Sequence, residues 1–338
     1  MVNSKYIRNK FALALGVAAV TLLGTVFTGE ADAANKNLKG AVKIDGSSTV
    51  YPITEAVAEE FGEEAPRVKV TVGVSGTGGG FKRFVIGETQ ISDASRPIKA
   101  KEAKAAAENG IEFIEIPVAY DGLSIVVNKA NDWVDYLTVD DLKKIFLSDS
   151  TVKTWKDVRP EWPAIEVRMF IPGTDSGTFD YFREKVAGKK GTFRSDMSVS
   201  EDDNVLVNGV AGNKGGIGFF GCAYYFENTD KLKAVPINGG NGPVLPSAET
   251  IENGSYTPFS RPLFIYVNAK AVDMPQVDAF VNFYFEEGPA LAEEVGYVRL
   301  PSKIYDIAKK KYQQRITGTH FMDKEGNKRS GSLTDLYK

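Results

Sequence analysis

Short apolar runs alternate along this chain with segments whose apolar positions have a helical period. Residues 67–74 alternate between apolar and polar side chains, which is typical of a strand with one buried face. Residues 139–147 instead place apolar side chains three and four positions apart, behind Thr138 as a candidate N-cap. Because the two patterns follow one another repeatedly, the sequence predicts an α/β fold.

The same patterns assign the remaining elements. Strands are predicted at residues 42–44, 67–74, 113–118, 123–128, 166–171, 217–220 and 263–267. Helices are predicted at residues 55–61, 100–109, 139–147, 178–186, 277–285 and 302–314, and a further helix opens at 81–86. Residues 238–246, rich in Gly, Asn and Pro, are the clearest loop. No single linker divides the chain, so two lobes would be joined by more than one crossing.

The first 33 residues have the three-part pattern of a secretory signal peptide. Three basic residues within positions 5–10 precede an uncharged apolar run at 11–27, and Ala31 and Ala33 occupy the −3 and −1 positions of a cleavage site. The run is at the lower edge of the length needed to span a membrane, so cleavage after Ala33 is favoured over a membrane anchor. No cysteine lies near this site for a lipid anchor. We expect a soluble protein exported to the periplasm.

Composition excludes several kinds of chemistry. The chain has 338 residues, enough for about two domains, with a formal net charge of −3, one cysteine and one histidine. One cysteine cannot form an intrachain disulfide, and with one histidine it cannot build the usual zinc cages. A serine-histidine-aspartate triad through His320 is disfavoured, and the net charge gives no global attraction to nucleic acid. We therefore expect no metal, no cofactor, no catalytic residues and no nucleic-acid partner.

Three predicted strand-to-helix junctions are built from Gly, Ser and Thr, at residues 45–52, 75–80 and 172–178. The first amides of a helix have no partner within the helix, and with the positive end of the helix dipole they form a ready anion site. N-capping alone would explain any one junction. Three junctions with more hydroxyls than capping needs favour a ligand, and none matches a nucleotide-binding motif. The sequence therefore predicts a site for a small anion.

A short turn after the second junction, residues 91–97, contains Asp93 and Arg96. Arg96 could supply positive charge and a fork of donors to the anion. A carboxylate such as Asp93 repels most anions, but it can accept a hydrogen bond from an anion that carries a proton. Hydrogen phosphate has such a proton near neutral pH and sulfate does not, so Asp93 would act as a selectivity filter.

These motifs, in this order, resemble those of the phosphate-binding proteins of bacterial high-affinity phosphate ABC transporters. The matching segments are residues 45–53, 75–82, 91–96, 173–179, 215–219 and 260–267. The resemblance spans nearly all of the chain after residue 33. It implies a two-lobed periplasmic-binding-protein fold of type II, in which two α/β domains joined by crossing strands close over one phosphate.

Carried over residue by residue, the resemblance implies a phosphate site made mainly of hydroxyls and backbone amides. The implied phosphate-binding residues are Ser48, Thr49, Ser75, Thr77, Asp93, Ser176, Gly177 and Thr178. Many family members have an arginine four residues before the serine of the Ser-Gly-Thr turn, where this chain has Pro172. We take Arg96 as the replacement for that arginine, with Arg168 as the alternative.

The resemblance also implies the organisation and partners of the protein. We expect a signal peptide at residues 1–33, a discontinuous first lobe made of 34–119 and 263–338, and a second lobe at 120–262. The expected function is that of a non-catalytic, monomeric receptor that captures inorganic phosphate and delivers it to the membrane permease of an ABC transporter. Two other functions stay open: a receptor for another oxyanion such as sulfate or molybdate, and a secreted phosphatase with a Ser or Thr nucleophile.

Overall fold

A computed structural model describes residues 36–174, 176–188, 191–200, 202–323, 325–329 and 331–338. The predicted signal peptide and its cleavage site lie outside the described residues. Across the described ranges, no helix has both the length and the apolar character needed to cross a membrane.

Strands and helices alternate through the chain, as the sequence predicts. The first part contains β1 (Gly40–Gly46), α1 (Tyr51–Glu64), β2 (Val68–Val74), α2 (Gly76–Phe84), β3 (Ile91–Ala94), α3 (Ala100–Glu108) and β4 (Phe113–Asn128). The middle part contains β5 (Leu137–Thr138), α4 (Val139–Phe146), α5 (Trp155–Val158), β6 (Arg168–Pro172), α6 (Gly177–Val186), β7 (Ser198–Ser200), α7 (Asp203–Ala211), β8 (Gly216–Gly221), α8 (Cys222–Glu227), β9 (Leu232–Ala234), β10 (Ile237–Asn238), β11 (Pro243–Val244) and α9 (Ala248–Glu252). The last part contains β12 (Ser260–Asn268), a 3-10 helix (Ala269–Asp273), α10 (Pro275–Glu294), α11 (Ser302–Gln313) and α12 (Leu333–Leu336).

Helix α4 shows how local sequence positions an element on the core. Thr138 Oγ1 accepts a hydrogen bond from the backbone N–H of Asp141 (3.1 Å), and the Asp141 carboxylate accepts one from the backbone N–H of Thr138 (3.0 Å). This capping box confirms the predicted N-cap. The apolar positions Ile145 and Phe146 are buried, and the Phe146 ring packs edge-on against Phe182 at 5.0 Å.

Among the described residues, nine strands form one sheet in the order β2-β1-β3-β12-β4-β8-β6-β7, with β9 also paired to β4. β1 is parallel to β2 and β3, and β6 is parallel to β7 and β8. The long strands β4 and β12 are antiparallel to the strands on both sides of them. Because parallel strands end at the same edge of a sheet, the loops that follow β1, β2 and β3 lie together.

Strand β4 crosses the centre of the molecule. All 16 of its residues are buried. Its first part pairs with β12 as far as Gly122, and its second part pairs with β8 from Leu123 onward. The sequence predicts two separate strands here, at 113–118 and 123–128, and this prediction is wrong because the intervening residues continue the same ladder. A third segment joins at this point, since Tyr120 and Val298 exchange backbone hydrogen bonds of 2.7 and 3.0 Å.

Two other segments differ from their predictions. The glycine-rich stretch after β2 is not an extended loop, because helix α2 begins at Gly76 rather than near residue 81. The predicted loop at 238–246 contains the end of β10 and all of β11, which form a small second sheet with β5. The α/β class itself is confirmed.

Candidate anion-binding cleft

The loop between β1 and α1 forms one wall of the cleft. Gly46 has a φ of +154°, and a Cβ at this position would lie 2.1 Å from the carbonyl oxygen of Asp93, so a side chain is excluded. The backbone N–H of Ser47 donates to the same carbonyl at 3.0 Å. Ser48 and Thr49, both predicted site residues, follow this fixed turn and line the cleft. The close packing of loop on strand therefore positions their hydroxyls.

Of the two predicted site residues in the second junction, Thr77 lines the cleft and Ser75 does not. The hydroxyl of Ser75 donates to Asp45 Oδ1 at 2.8 Å, so it holds the end of β1 and does not line the cleft. Thr77 does line the cleft, and its Oγ1 lies 3.1 Å from Ser95 Oγ and accepts the backbone N–H of Ser95. Ser95, which the sequence did not single out, is thus brought beside Thr77 in the cleft.

The third junction forms the opposite wall. Ser176 caps helix α6, since its Oγ accepts hydrogen bonds from the N–H of Thr178 (3.2 Å) and Phe179 (3.5 Å). Ser176, Gly177 and Thr178 all line the cleft. Gly177 faces the first loop directly, because a Cβ there would be 2.8 Å from Thr49 Cα. The first and third junctions therefore meet across the cleft.

Asp93 differs from its prediction, because its side chain is buried inside the protein. Neighbouring residues of a strand face opposite sides of the sheet. Ser92 faces helix α2, where it lies close to Gly80, and Asp93 faces the interior beside Thr54 and Tyr284. Its carboxylate is completely buried, and no hydrogen bond to it among the described residues has normal geometry, although the Thr54 hydroxyl lies close enough to influence it. Asp93 is not among the residues that line the cleft.

Burial raises the pKa of Asp93 to about 8. The nearby Thr54 hydroxyl opposes this shift by favouring the charged form, and the negative charge of Asp45 adds to it. The carboxyl is accordingly neutral over most of the physiological range.

The two arginines that the sequence proposed differ in position. Arg96 lines the cleft, but its guanidinium is paired with both carboxylate oxygens of Glu102 at 2.8 and 2.9 Å. Arg168 lies on β6 with its side chain 58% exposed, paired with Glu166, and it does not line the cleft.

A different arginine, Arg261, lines the cleft. Arg261, on β12, donates from Nε and Nη2 to Asp121 Oδ2 at 3.0 and 2.9 Å, and from Nη2 to Thr49 Oγ1 at 3.0 Å. Its guanidinium lies over the ring of Tyr181, 3.7 Å from the ring centre. The Tyr181 hydroxyl in turn donates to the carbonyl of Pro258 at 2.8 Å. Arg261 is therefore oriented by one carboxylate, one hydroxyl and one aromatic face.

Asp121 lies on the crossing strand β4 and lines the cleft. Burial raises the pKa of its carboxyl, and the charge and hydrogen bonds of Arg261 oppose that shift. Both bonds from Arg261 end on Oδ2. Sequence reasoning missed this pair because its members are 140 positions apart. A signal was present: Asp121 is a charged residue between two apolar runs, and Arg261 lies in the last matching segment.

The cleft consists of two cavities that share Ser48. The larger, about 720 Å³, lies between the first two junctions and helix α6; the smaller, about 400 Å³, lies beside the third junction and Asp121. The basic residues that line the larger cavity are Arg96, Lys99, Arg183, Lys185, Arg261 and Lys328. The larger cavity therefore combines hydroxyls, helix N-termini and positive charge. Within the described residues no group of three or more His, Cys, Asp or Glu could hold a metal ion.

Comparison with known proteins places the chain in a family. A model described as "PBP superfamily domain" matches residues 29–287. Protein SphX of Synechococcus elongatus is 48% identical over 341 residues, which cover 100% of this chain and 98% of the relative. The phosphate-binding protein PstS of Staphylococcus saprophyticus is 43% identical over 291 residues, or 86% of this chain and 89% of the relative.

Solved structures agree with this assignment. The crystal structure of a possible phosphate binding protein from Planctomyces limnophilus is 45% identical, with a TM-score of 0.80, covering 83% of this chain and 100% of the other. An ABC-type phosphate transport receptor from Vibrio cholerae is 25% identical, with a TM-score of 0.59, covering 77% and 100%. These similarities confirm the predicted two-lobed fold and place the chain with solute-binding proteins rather than enzymes. The chain therefore belongs to the PBP superfamily and, within it, to the family of the phosphate-binding proteins.

Proposed function

We propose that this protein is an extracytoplasmic receptor that binds inorganic phosphate in its cleft and delivers it to an ABC transporter. The observation that carries the proposal is Arg261, which Asp121 and Tyr181 hold in the wall of a cleft lined by hydroxyls and helix N-termini. An arginine fork and free helix amides are the groups that bind phosphate oxygens in proteins. The relatives named as phosphate-binding proteins support the same ligand.

The proposed phosphate ligands come from both walls. Ser48, Thr49 and Thr77 would supply hydroxyls from one wall, and the start of helix α6, at Ser176, Gly177 and Thr178, would supply backbone amides and hydroxyls from the other. Arg261 would supply the charge, in place of the sequence-based candidates Arg96 and Arg168.

Asp121 takes over the selectivity role that the sequence analysis gave to Asp93. Its Oδ1 accepts neither of the bonds from Arg261, so this oxygen can accept a hydrogen bond from the proton of hydrogen phosphate. Sulfate has no such proton near neutral pH, so the two negative charges would face each other without compensation. Asp121 thus favours a protonated oxyanion over sulfate and molybdate.

The lobe boundaries proposed from the sequence, 34–119 with 263–338 and 120–262, have support in the strand pairing. β4 changes its partner from β12 to β8 after Gly122, and β12 begins at Ser260. Phosphate contacts from both lobes would favour the closed form, since a ligand shifts a conformational equilibrium by its differential affinity for the two states.

The location and the protein partner that we propose rest on the signal-peptide pattern and on the family. The signal-peptide pattern of residues 1–33 supports export, cleavage after Ala33 and a periplasmic location. The partner we propose is the membrane permease of a phosphate ABC transporter, and the similarity to an ABC-type phosphate transport receptor from Vibrio cholerae supports it. We propose that the receptor acts as a monomer.

Calorimetric titration of the mature protein with phosphate, sulfate and molybdate tests the proposal. We expect phosphate to bind far more tightly than the other anions, and Arg261→Gln to weaken phosphate binding about ten- to a hundredfold because a charge-assisted contact is lost. Arg168→Gln, whose charge lies outside the cleft, is the matched control and leaves the Kd unchanged. Asp121→Asn narrows the preference for phosphate over sulfate.

Two results would contradict the proposal. Preferential binding of sulfate or molybdate would identify a receptor for another oxyanion, and steady release of phosphate from a phosphomonoester by the pure protein would identify a phosphatase.

A further inference from the structure

Residues 318–323, 325–329 and 331–338, here called the C-terminal strap, pack across the central strands and extend to the cleft. The Phe321 ring is buried edge-on against Phe264 of β12 at 5.3 Å. Lys328 lies on the strap and lines the larger cavity. We propose that Lys328 is part of the anion-binding machinery and completes the positive mouth of the cleft from the far end of the chain, an inference that rests on the proposed phosphate-binding function.

The strap is tied to the core through a buried carboxylate. The side chain of Glu115, on β4, accepts hydrogen bonds from Thr319 Oγ1 (2.5 Å), the Tyr266 hydroxyl (2.8 Å) and the backbone N–H of His320 (3.0 Å). The Tyr337 hydroxyl, near the end of the strap, donates to the backbone carbonyl of Glu115 at 2.7 Å. Both ends of the strap are therefore fixed to the same residue of the crossing strand.

Lys328 is held on a tight turn within this strap. The backbone N–H of Asp323 donates to the carbonyl of Asn327, and the N–H of Arg329 donates to the carbonyl of Phe321, each at 2.9 Å. Lys328 lies between these two hydrogen bonds. Its backbone is consequently anchored, although its side chain is exposed at the mouth of the cleft.

The charge of Lys328 acts across the cleft on helix α6. Burial lowers the pKa of Lys185 on this helix, Glu184 opposes the shift, and the positive charges of Arg261 and Lys328 add to it. Lys185 and Lys328 thus lie within electrostatic range of each other on opposite sides of the larger cavity. An anion bound between them would relieve this repulsion.

Lys328 also differs from other basic residues of the cavity in its pairing. Arg96 is paired with Glu102, and Arg183 with Asp180, at 2.8 and 2.7 Å. Lys185 lies 3.9 Å from a carboxylate oxygen of Glu184, whereas over the described part of the chain Lys328 forms no ion pair. Its charge is therefore available to the ligand, whereas carboxylates already offset those of the two arginines.

Because the strap packs on β4 and β12 while Lys185 belongs to α6, the two lysines lie on different lobes of the proposed arrangement. The positive charge of Lys328 attracts an approaching anion, and its repulsion of α6 lessens once the anion is bound. The strap thereby links the affinity for phosphate to the end of the chain.

The test is calorimetric titration with inorganic phosphate of the wild type and of Lys328→Gln, Lys328→Arg and Lys303→Gln. Lys303, exposed on helix α11, controls for the loss of one positive charge elsewhere. At low ionic strength we expect Lys328→Gln to weaken binding about three- to tenfold, and Lys328→Arg to retain the wild-type affinity. The difference should shrink at high salt, because exposed charges are screened there.

Two outcomes would overturn the inference in distinguishable ways. If Lys328→Gln binds phosphate as tightly as Lys303→Gln, the strap has no role in binding while the phosphate receptor stands. If the wild type itself does not bind phosphate, the proposed function fails, and this inference fails with it.

Discussion

At the scale of single residues, two buried aspartates show how a charge depends on its neighbours. Asp121 is compensated by the guanidinium of Arg261, which donates two hydrogen bonds to it. Asp93 lies in the same sheet, with no described partner for its carboxylate oxygens. An unpaired buried charge costs several kcal/mol, so Asp93 is held in its neutral form while Asp121 can remain ionised.

We predict that Asp93→Asn stabilises the protein at neutral and alkaline pH. The Asp93 carboxyl ionises at about pH 8 in the folded protein but near pH 4 in an unfolded chain. Between these values the folded state binds the extra proton, so the free energy of unfolding falls as the pH rises through this window. In the asparagine variant the free energy of unfolding should not show this decrease with pH, as measured by urea denaturation at several pH values.

Asp132→Asn, at an exposed position, is the control for this measurement and should keep the wild-type pH dependence. If the Asp93→Asn variant is less stable than the wild type at about pH 8, the charged carboxylate stabilises the folded protein and the prediction is wrong.

At the scale of elements, helix α2 depends on glycine for its position. A Cβ at Gly80 would lie 2.6 Å from Gly46 Cα and 2.7 Å from the carbonyl oxygen of Asp45, both on the backbone of β1. A Cβ at Gly78 on the same helix would meet nothing within 4 Å. Replacing these two glycines by alanine should therefore change the stability in opposite directions, although both replacements raise the helix propensity.

We predict that Gly80→Ala destabilises the protein by about 1–3 kcal/mol, because the helix must move away from β1. Gly78→Ala, its matched control, should stabilise by about 0.5–1 kcal/mol through helix propensity alone. Chemical denaturation of both variants measures these changes. Equal effects of the two substitutions would contradict the close packing of α2 on β1.

The same elements show how far the sequence could predict the structure. Strands and helices with a clear period, such as α4 behind Thr138, follow from local sequence. The start of α2 at Gly76 does not follow from local sequence, because glycine disfavours helices. The glycine at position 80 of this helix is required by the close approach of strand β1, which only the folded structure shows. The ion pair of Arg261 with Asp121 was also missed, although both residues stand out in the sequence, because only the pairing of β4 with β12 brings them together.

At the scale of the whole molecule, the cleft is narrow where Gly177 faces Thr49. The absence of a side chain at Gly177 lets the start of helix α6 approach the first loop. This contact lies between the two proposed lobes, so it exists only when they are together. Closure of the receptor therefore has a steric requirement in addition to the electrostatic one.

We predict that Gly177→Ala weakens phosphate binding about five- to a hundredfold while leaving the free energy of unfolding nearly unchanged. The new methyl group would lie 2.8 Å from Thr49 Cα, which opposes closure without disturbing either lobe. Calorimetric titration together with urea denaturation measures both quantities.

Gly62→Ala on helix α1, where a Cβ meets nothing within 4 Å, is the control and should bind phosphate as the wild type does. Wild-type affinity in Gly177→Ala would mean that phosphate binds without this approach of the two walls.

The complete burial of β4 has a consequence for how the chain could be divided. Its residues up to Gly122 complete one part of the sheet and those from Leu123 complete the other, with no exposed position between them. A cut here would leave each fragment with an open sheet edge and an unpaired half of the cleft. The two halves of the receptor are therefore not exchangeable modules, and recombination between relatives would have to preserve this strand intact.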